Sequence, residues 1–247
     1  MSFVQQFYPE SRFGGFTDVD GSVAFYSRIN ALLKPDSLVL DVGCGRGQFL
    51  EDAVVFRRQL RNLRGKVARV IGLDVDEAAQ DNPSVDEFRR LDGRSPWPVE
   101  DASVDLLVSD CTLEHVPQPI EFFSEIQRVL RPGGVCCLRT SNSLSYVGLA
   151  ARLVPNRLHA KVLVKVQEKR KAEDVFPTVY RCNTIAAVRR QMDRHNFEHV
   201  VYGYESEPYY LQFSKLAYAL GVLHQRLCPH VFKPAIFAFG RKPTLQN

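Results

Sequence analysis

A glycine-rich turn directly after a short apolar run is the feature that most constrains this chain. Residues 38–42 (LVLDV) are typical of a buried parallel strand, and Gly43, Gly45 and Gly47 follow within five residues. Glycines let the backbone turn tightly and approach a ligand without an intervening Cβ. A helix that begins behind such a turn offers free N–H groups to an anion. The segment therefore predicts a ligand-binding junction at the carboxyl edge of a parallel sheet.

The rest of the chain alternates between strand-like and helix-like segments. Further strands are predicted at 67–75, 105–109, 135–140, 197–204 and 235–240, and helices at 23–33, 48–64, 119–130, 143–171, 184–195 and 208–227. This order predicts an α/β fold with a doubly wound sheet. Four arginines at helical spacing in the second predicted helix (Arg57, Arg58, Arg61 and Arg64) are interpreted as a solvated basic face.

Composition excludes several classes of protein. The chain has 247 residues, of which 45% are hydrophobic, which is enough to build a buried core. Its formal charge of +4 is mild, so we expect no nucleic-acid partner. The first residues lack a basic-then-apolar leader pattern, and no apolar stretch is long enough to span a membrane. Six cysteines without a CxxC pair argue against a zinc site and against a disulfide framework. We expect a cytoplasmic protein with reduced thiols and without a metal.

Spacing separates two kinds of glycine turn. A dinucleotide-binding turn requires G-x-G-x-x-G or a closing alanine, but the third position counted from Gly43 is Gln48. The observed order is instead D-x-G-x-G-x-G, from Asp41 to Gly47. A nicotinamide-dependent dehydrogenase is therefore disfavoured.

Four further motifs follow this turn in order. They are GLDV at 72–75, LDG at 91–93 before PWP at 96–98, VDLLVS at 104–109 before LEHV at 113–116, and RVLRPGG at 128–134 before TSN at 140–142. With the glycine turn, this series resembles the class I methyltransferases that use S-adenosylmethionine. The resemblance covers residues 37–142, with a looser fit beyond them.

The resemblance implies a Rossmann-like, mostly parallel, seven-stranded sheet with an antiparallel last strand, and helical insertions after strands five and six. It also implies a set of cofactor-binding residues: Asp41, Gly43, Gly45, Gly47, Asp74, Val75, Asp92, Gly93 and Asp110. Asp41 suits the ammonium group of the cofactor, and Asp74 suits the two ribose hydroxyls. Val75 would pack on the adenine, and Asp92 would accept from its amino group. Asp110 would face the transferable methyl group.

Proton removal from a hydroxyl acceptor needs a base, and His115 and Asp110 are the predicted catalytic residues. The ordinary pKa of histidine, about 6.5, suits a base at neutral pH. Glu114 and His159 are further candidates. A structural role for His115, in which it orients a loop or helix, is an equal alternative.

The whole chain is predicted to be a single methyltransferase domain, 1–247. It divides into an N-terminal cap (1–35), the cofactor-binding core (37–142), a helical lid insertion (143–183) and a second helical insertion (205–233). The lid carries four predicted substrate residues: Tyr146, Arg152, His159 and Tyr180. Aromatic faces can stack on sugars and arginine can bind phosphate. The second insertion is apolar, which predicts either homodimer contact or peripheral membrane contact.

The acceptor remains open at this stage. Residues 140–157 and 176–181 resemble methyltransferases of bacterial surface-polysaccharide biosynthesis, which favours O-methylation of a sugar, a glycan or another small molecule. One alternative is a methyltransferase that acts on a quinone, a lipid or a natural product. The other is a cofactor-binding or scaffold protein without catalysis.

Overall fold

The computed structural model describes residues 2–93, 96–153 and 177–244, with residues 150–153 described by their backbone alone. Its strands are β1 (Leu38–Val42), β2 (Arg69–Asp74), β3 (Glu87–Arg90), β4 (Val104–Asp110), β5 (Leu130–Ser141), β6 (Glu198–Tyr204) and β7 (Ala235–Arg241). Its α-helices are α1 (Phe3–Phe7), α2 (Gly21–Leu32), α3 (Val55–Arg61), α4 (Pro119–Val129), α5 (Tyr146–Leu153), α6 (Ile185–Arg194) and α7 (Lys215–Leu227). Short 3-10 turns connect several of these elements.

The strands form one seven-stranded sheet in the order β3-β2-β1-β4-β5-β7-β6. Strands β1 to β5 pair in parallel, and β7 runs antiparallel to both of its neighbours. The predicted doubly wound fold with an antiparallel last strand is confirmed. The strand order reverses between β1 and β4, and open α/β sheets bind their ligands at the carboxyl ends of the strands beside such a reversal.

Apolar side chains cover both faces of the sheet. In β1, Leu40 and Val42 belong to one buried cluster and Val39 to another, as the alternation of side chains along a strand requires. The first cluster includes α4 and α6, and the second includes α2. Helix α4 buries Phe123, Ile126 and Val129 along one side, as its apolar spacing predicts.

The helix predicted over 48–64 is wrong in its extent. A 3-10 turn covers Gln48–Glu51, and the α-helix covers only Val55–Arg61. The side chain of Asp52 causes the break, because its Oδ1 accepts a hydrogen bond from the Val54 N–H at 2.9 Å and holds a turn between the two segments.

Strand β5 also begins earlier than predicted. It includes Arg131–Gly134, which lie between the helix predicted over 119–130 and the strand predicted over 135–140, and its register with β4 shifts between Val104 and Leu106. The helix predicted over 143–171 begins at Tyr146 and is described as far as Leu153. The helix predicted over 208–227 is confirmed from Lys215, after a 3-10 turn at Tyr209–Leu211.

Candidate functional site

The glycine turn lies at the carboxyl end of β1, beside the point where the strand order reverses. Gly43, Gly45 and Gly47 have φ angles of +77°, +54° and +73°. A Cβ on Gly43 would collide with Thr112, and one on Gly47 would lie 2.5 Å from Asn82 Oδ1. A Cβ on Gly45 would meet nothing within 4 Å. Two of the glycines therefore allow close packing, and Gly45 borders open space.

Asn82 supports this turn, although it was not among the predicted site residues. Its buried side-chain amide donates to the carbonyls of Cys44 at 3.0 Å and Gly45 at 2.9 Å. Its Oδ1 accepts from the N–H of Ser84 at 2.9 Å, so the amide is held from both ends. The Asn82-Pro83 dipeptide is a turn signal in the sequence, but nothing in it indicates contact with residues nearly forty positions earlier.

Asp74 ends β2 next to the glycine turn. Its Oδ2 accepts from the Gly45 N–H at 2.8 Å, and its Oδ1 accepts from the Asp76 N–H at 2.9 Å. A carboxylate has about four acceptor positions, so two remain for other donors. Val75 follows with a side chain that is 51% exposed, although it is apolar. An acid with unused acceptor positions and an uncovered apolar side chain fit a ribose and the base attached to it.

Asp92 and Gly93 lie at the neighbouring strand end. They follow β3, which pairs with β2 so that Arg90 is opposite Asp74, and the Leu91 N–H donates to the Asp74 carbonyl at 2.7 Å. Gly93 has a φ of +78°, and a Cβ there would meet nothing within 4 Å. The structure therefore places the predicted adenine-binding pair beside the predicted ribose-binding acid.

Asp41 is an unusual acid within β1. Burial and the negative charges of Asp110 and Asp74 raise its pKa, and the positive charge of Arg61 opposes them in part, so that the pKa is about 7. A cation placed beside Asp41 would favour its ionised form and lower its pKa again. The ammonium group of an amino-acid ligand is such a cation.

Asp110 is held by a ring of donors at the end of β4. Arg139 donates to it through Nε at 2.6 Å and Nη2 at 2.5 Å, and the Tyr26 hydroxyl donates at 3.1 Å. Burial would raise the pKa of Asp110, but the charge and hydrogen bonds of Arg139 outweigh it and lower the pKa to about 2. A carboxylate of this pKa is a weak proton acceptor at neutral pH. The arrangement favours a positioning role for Asp110 over the predicted role as base.

The arginines of the predicted basic face do not share one environment: Arg64 is exposed, whereas Arg57 and Arg61 are partly buried, so the interpretation as a solvated face is wrong for those two. Arg57 donates to both Asp20 and Asp52 at 2.7 Å. The guanidinium of Arg61 lies 4.8 Å from the ring centroid of Phe49 and 3.6 Å from an oxygen of Asp110. These two arginines connect α3 to the N-terminal cap and to the site.

Glu114 and His115 follow β4 in a 3-10 turn, Leu113–His115. The buried carboxylate of Glu114 accepts from the hydroxyls of Thr140 at 2.7 Å and Ser141 at 2.9 Å. His115 Nδ1 lies 2.9 Å from the Pro177 carbonyl. Because a carbonyl only accepts, Nδ1 carries the hydrogen and Nε2 carries the lone pair of the neutral ring. Glu114 thus joins the ends of β4 and β5, and His115 has the tautomer that a base at Nε2 requires.

Two of the four predicted substrate residues, Tyr146 and Tyr180, have side chains that the structure describes. Tyr180 has a φ of +49°, and its N–H donates to the Glu114 carbonyl at 3.2 Å, so it lies beside the turn that carries His115. Tyr146 lies in α5, and its ring centroid is 5.0 Å from that of His224. Arg152 is described by its backbone alone, and His159 lies outside the described residues. The structure therefore places Tyr180 next to the His115 turn and Tyr146 next to α7.

A Glu–His pair near the C-terminal end of α7 was also not among the predicted site residues. Glu205 is 3% exposed, and its two carboxylate oxygens lie 2.9 and 3.0 Å from His224 Nδ1. Burial raises the pKa of Glu205, and the hydrogen bond from His224 opposes this shift. In the part of the chain that the structure describes, no three His, Cys, Asp or Glu side chains converge as a metal site.

Comparison with known proteins gives three findings. Residues 40–138 match the family model described as "Methyltransferase domain". A protein of Mycolicibacterium smegmatis, "Probable S-adenosylmethionine-dependent methyltransferase", is 38% identical over 113 residues, which are 44% of this chain and 39% of that protein. The "Ubiquinone biosynthesis O-methyltransferase" of Xanthomonas campestris pv. campestris is 33% identical over 138 residues, which are 51% of this chain and 55% of that enzyme. This chain thus spans about two fifths to half of the length of these relatives.

A solved structure is similar over nearly the whole chain. It is geranyl diphosphate C-methyltransferase from Streptomyces coelicolor A3(2), in complex with Mg²⁺, geranyl diphosphate and S-adenosyl-L-homocysteine. It has a TM-score of 0.55, is 14% identical, and the similarity covers 89% of this chain and 77% of that one. This likeness shows a shared fold. Together the comparisons show that residues 40–138 are similar to methyltransferase domains, and the name of the Mycolicibacterium smegmatis relative gives S-adenosylmethionine as the cofactor of that protein.

Proposed function

We propose that this chain is an S-adenosylmethionine-dependent methyltransferase that methylates an oxygen of a sugar, a glycan or another small molecule. The observation that carries the proposal is the acid–glycine pair at the strand reversal. Asp74 accepts from the Gly45 N–H at 2.8 Å, and Gly45 borders open space. The matched domain, residues 40–138, contains this pair and all the other predicted cofactor residues.

The residues at the strand ends suit the parts of the cofactor. Asp41 would hold the ammonium group, Asp74 the ribose hydroxyls, and Val75 the face of the adenine. Asp92 and Gly93 would bind the edge of the adenine. When bound, the cofactor supplies a methyl group on positively charged sulfur. The chain's task is then to hold an acceptor oxygen in line with that group, and alignment of this kind can contribute up to about 7–11 kcal/mol.

His115 is the proposed base for the acceptor hydroxyl. Its Nδ1–H donates to the Pro177 carbonyl, so Nε2 can accept a proton. A well-placed base contributes about 100- to 10,000-fold to the rate. Asp110 would act indirectly, because its carboxylate is already bound by Arg139 and Tyr26. It would keep the ends of β4 and β5 together beside the methyl position.

The base is tested by His115→Gln, measured as turnover with labelled cofactor beside the affinity for S-adenosylhomocysteine. We expect at least a tenfold loss of kcat with unchanged affinity. His195→Gln is the matched control, because that histidine also bonds a backbone carbonyl, Gln191 O at 2.8 Å, but on α6. A loss smaller than tenfold for His115→Gln with intact cofactor binding would leave His115 a structural role only.

The acceptor class rests on the residues around the site. Tyr180 lies next to the His115 turn, and an aromatic side chain there can stack on a sugar ring. The resemblance to surface-polysaccharide enzymes adds to this choice. A panel of nucleotide sugars and glycosides with labelled cofactor tests it, and transfer to none of them would reject this acceptor class.

A quinone acceptor is the second candidate. The Xanthomonas campestris relative is named for ubiquinone biosynthesis, which favours phenolic and quinone-like acceptors for a related domain. Including catechols and hydroxyquinones in the same panel separates the two classes. Lipids and natural products remain further acceptors to be screened. Cofactor binding without transfer to any acceptor would favour a non-catalytic cofactor-binding or scaffold protein.

The partner and location predictions stay open. None of the described helices has the length and apolarity needed to cross a bilayer. Peripheral membrane contact and a homodimer would both use the apolar surface of the second insertion. A cytoplasmic location remains a prediction.

A further inference from the structure

Helix α7 has two apolar sides, but the fold uses only one. Tyr218, Gly221 and Val222 are buried, and the Tyr218 ring contacts those of Phe3 and Phe7 in α1, with centroids 6.1 and 5.4 Å apart. These contacts attach the helix to the N-terminal cap. The opposite side of the helix is exposed.

Four leucines form that outward side, and we call them the leucine stripe: Leu216, Leu220, Leu223 and Leu227. They are 72%, 58%, 52% and 72% exposed. At 3.6 residues per turn they fall within roughly 60° of arc, so they form one narrow ridge along the helix. A continuous ridge of exposed leucines is unusual on a soluble surface and marks an interaction site.

Further apolar side chains continue from the helix ends. Phe213, just before the helix, is 79% exposed, and Phe232, in the turn before β7, is 47% exposed. Both belong to the segment that joins β6 to β7. Large apolar groups of this kind can insert among lipid acyl chains at a bilayer surface.

The charges of this segment have one sign. From Pro208 to Pro234 there is no Asp or Glu, whereas Lys215, Arg226 and Lys233 are present. Lys215 and Arg226 are exposed and lie about 90° to one side of the leucine stripe. An exposed apolar ridge with a basic flank is the pattern of helices that lie in the interface of anionic membranes.

We propose that the leucine stripe binds the surface of an anionic lipid bilayer. Charge selects this occupant over a second copy of the chain. A symmetric dimer would bring each segment against itself, and this segment has no acid to neutralise the repulsion between Lys215 and Arg226 of the two copies. Anionic lipid headgroups neutralise these cations, at about fivefold in affinity for each one.

Docking in this way would bring the acceptor side of the site to the membrane. The segment leaves β6 at its carboxyl end and re-enters the sheet at Ala235, which pairs with Ser141 at the carboxyl end of β5. His224, on the same helix, contacts Tyr146. If the proposed function holds, the acceptor is an amphiphile, such as a lipid-linked glycan or a quinone, that is reached from the bilayer surface.

The test is sedimentation of the full chain with vesicles of phosphatidylcholine alone or mixed equally with phosphatidylglycerol. We expect at least tenfold more bound protein with the anionic vesicles. Leu220→Glu with Leu223→Glu should reduce this binding at least tenfold. Lys215→Glu with Arg226→Glu should reduce it by a similar factor and remove its dependence on salt.

The matched control carries the same change on exposed aliphatic residues of other helices. Val55→Glu with Ile120→Glu alters side chains that are 52% and 45% exposed, and it should bind vesicles like the unaltered chain. Circular dichroism checks that every variant is folded. No binding to anionic vesicles, or binding that the leucine variant leaves unchanged, would overturn the proposal. A dimer that the leucine variant dissociates, without vesicle binding, would assign the stripe to a second copy.

Failure of this inference is distinguishable from failure of the proposed function. Binding of S-adenosylhomocysteine, measured by calorimetry without vesicles, depends on the glycine turn and not on the leucine stripe. Vesicle binding without cofactor binding would reject the methyltransferase and keep the membrane surface. Cofactor binding without vesicle binding would reject the membrane surface and leave the proposed methyltransferase function standing.

Discussion

Asp41 should make cofactor affinity depend on pH. In the ligand-free protein its pKa is raised to about 7, so roughly one tenth of the molecules have an ionised Asp41 at pH 6 and nine tenths at pH 8. The ammonium group of S-adenosylhomocysteine requires the ionised form, and binding should lower the pKa below this range. We therefore expect the dissociation constant to be roughly tenfold larger at pH 6 than at pH 8.

Calorimetric titration at both pH values measures this difference, and the heats in two buffers give the number of protons released. Asp41→Asn should bind weakly and lose the pH dependence. Asp36→Asn, an exposed acid in the turn before β1, is the control and should retain it. Equal affinities at the two pH values would refute the reasoning, and so would an unchanged dependence in Asp41→Asn. The raised pKa also implies that folding stability falls as pH rises from about 4 to 7, since the folded state holds the proton longer than the unfolded chain.

Three substitutions test the scaffold of the site by urea unfolding and by titration with S-adenosylhomocysteine. Gly43→Ala should lower the free energy of unfolding by more than the about 1–2 kcal/mol that a left-handed backbone costs, because its Cβ would also collide with Thr112. Gly65→Ala is the control for the backbone cost alone, because Gly65 has a φ of +81° and a Cβ there would meet nothing within 4 Å. Arg139→Met removes the bidentate partner of the buried Asp110, which keeps only the Tyr26 hydroxyl and the more distant Arg61. The free energy of unfolding should fall by about 3 kcal/mol, and a loss below about 1 kcal/mol would contradict this. Asn82→Ala removes two hydrogen bonds to the glycine turn, so it should lower the free energy of unfolding by about 2 kcal/mol and weaken cofactor binding. Unchanged affinity would show that the turn keeps its shape without Asn82.

The parts of the site that lie within one strand–turn unit could be predicted from the sequence. The glycine turn follows β1 directly, and Asp74 ends β2, so local spacing was sufficient to place both at the carboxyl edge of the sheet. The parallel sheet then brings these strand ends together without further information. His115 follows β4 in the same way, whereas Asp92 was placed by the family resemblance alone, because no strand was predicted over Glu87–Arg90.

The groups that support the site depend on contacts between distant segments. Arg139 meets Asp110 because the register of β4 and β5 places the two residues opposite each other, and a sequence pattern does not specify that register. Arg61 was interpreted as part of a solvated face, because helical spacing indicates which residues share a side of a helix but not which groups cover that side. In the structure its guanidinium lies against the ring of Phe49. The break at Asp52 was missed because a side chain that bonds its own backbone competes with the helix.

The central claim is that the glycine turn and Asp74 hold S-adenosylmethionine, and its most direct test is titration of the folded chain with S-adenosylhomocysteine. We expect saturable binding at one site and at least tenfold weaker binding for Asp74→Ala. The absence of saturable heat from the well-folded chain would contradict it, as would equal affinity in the Asp74→Ala variant.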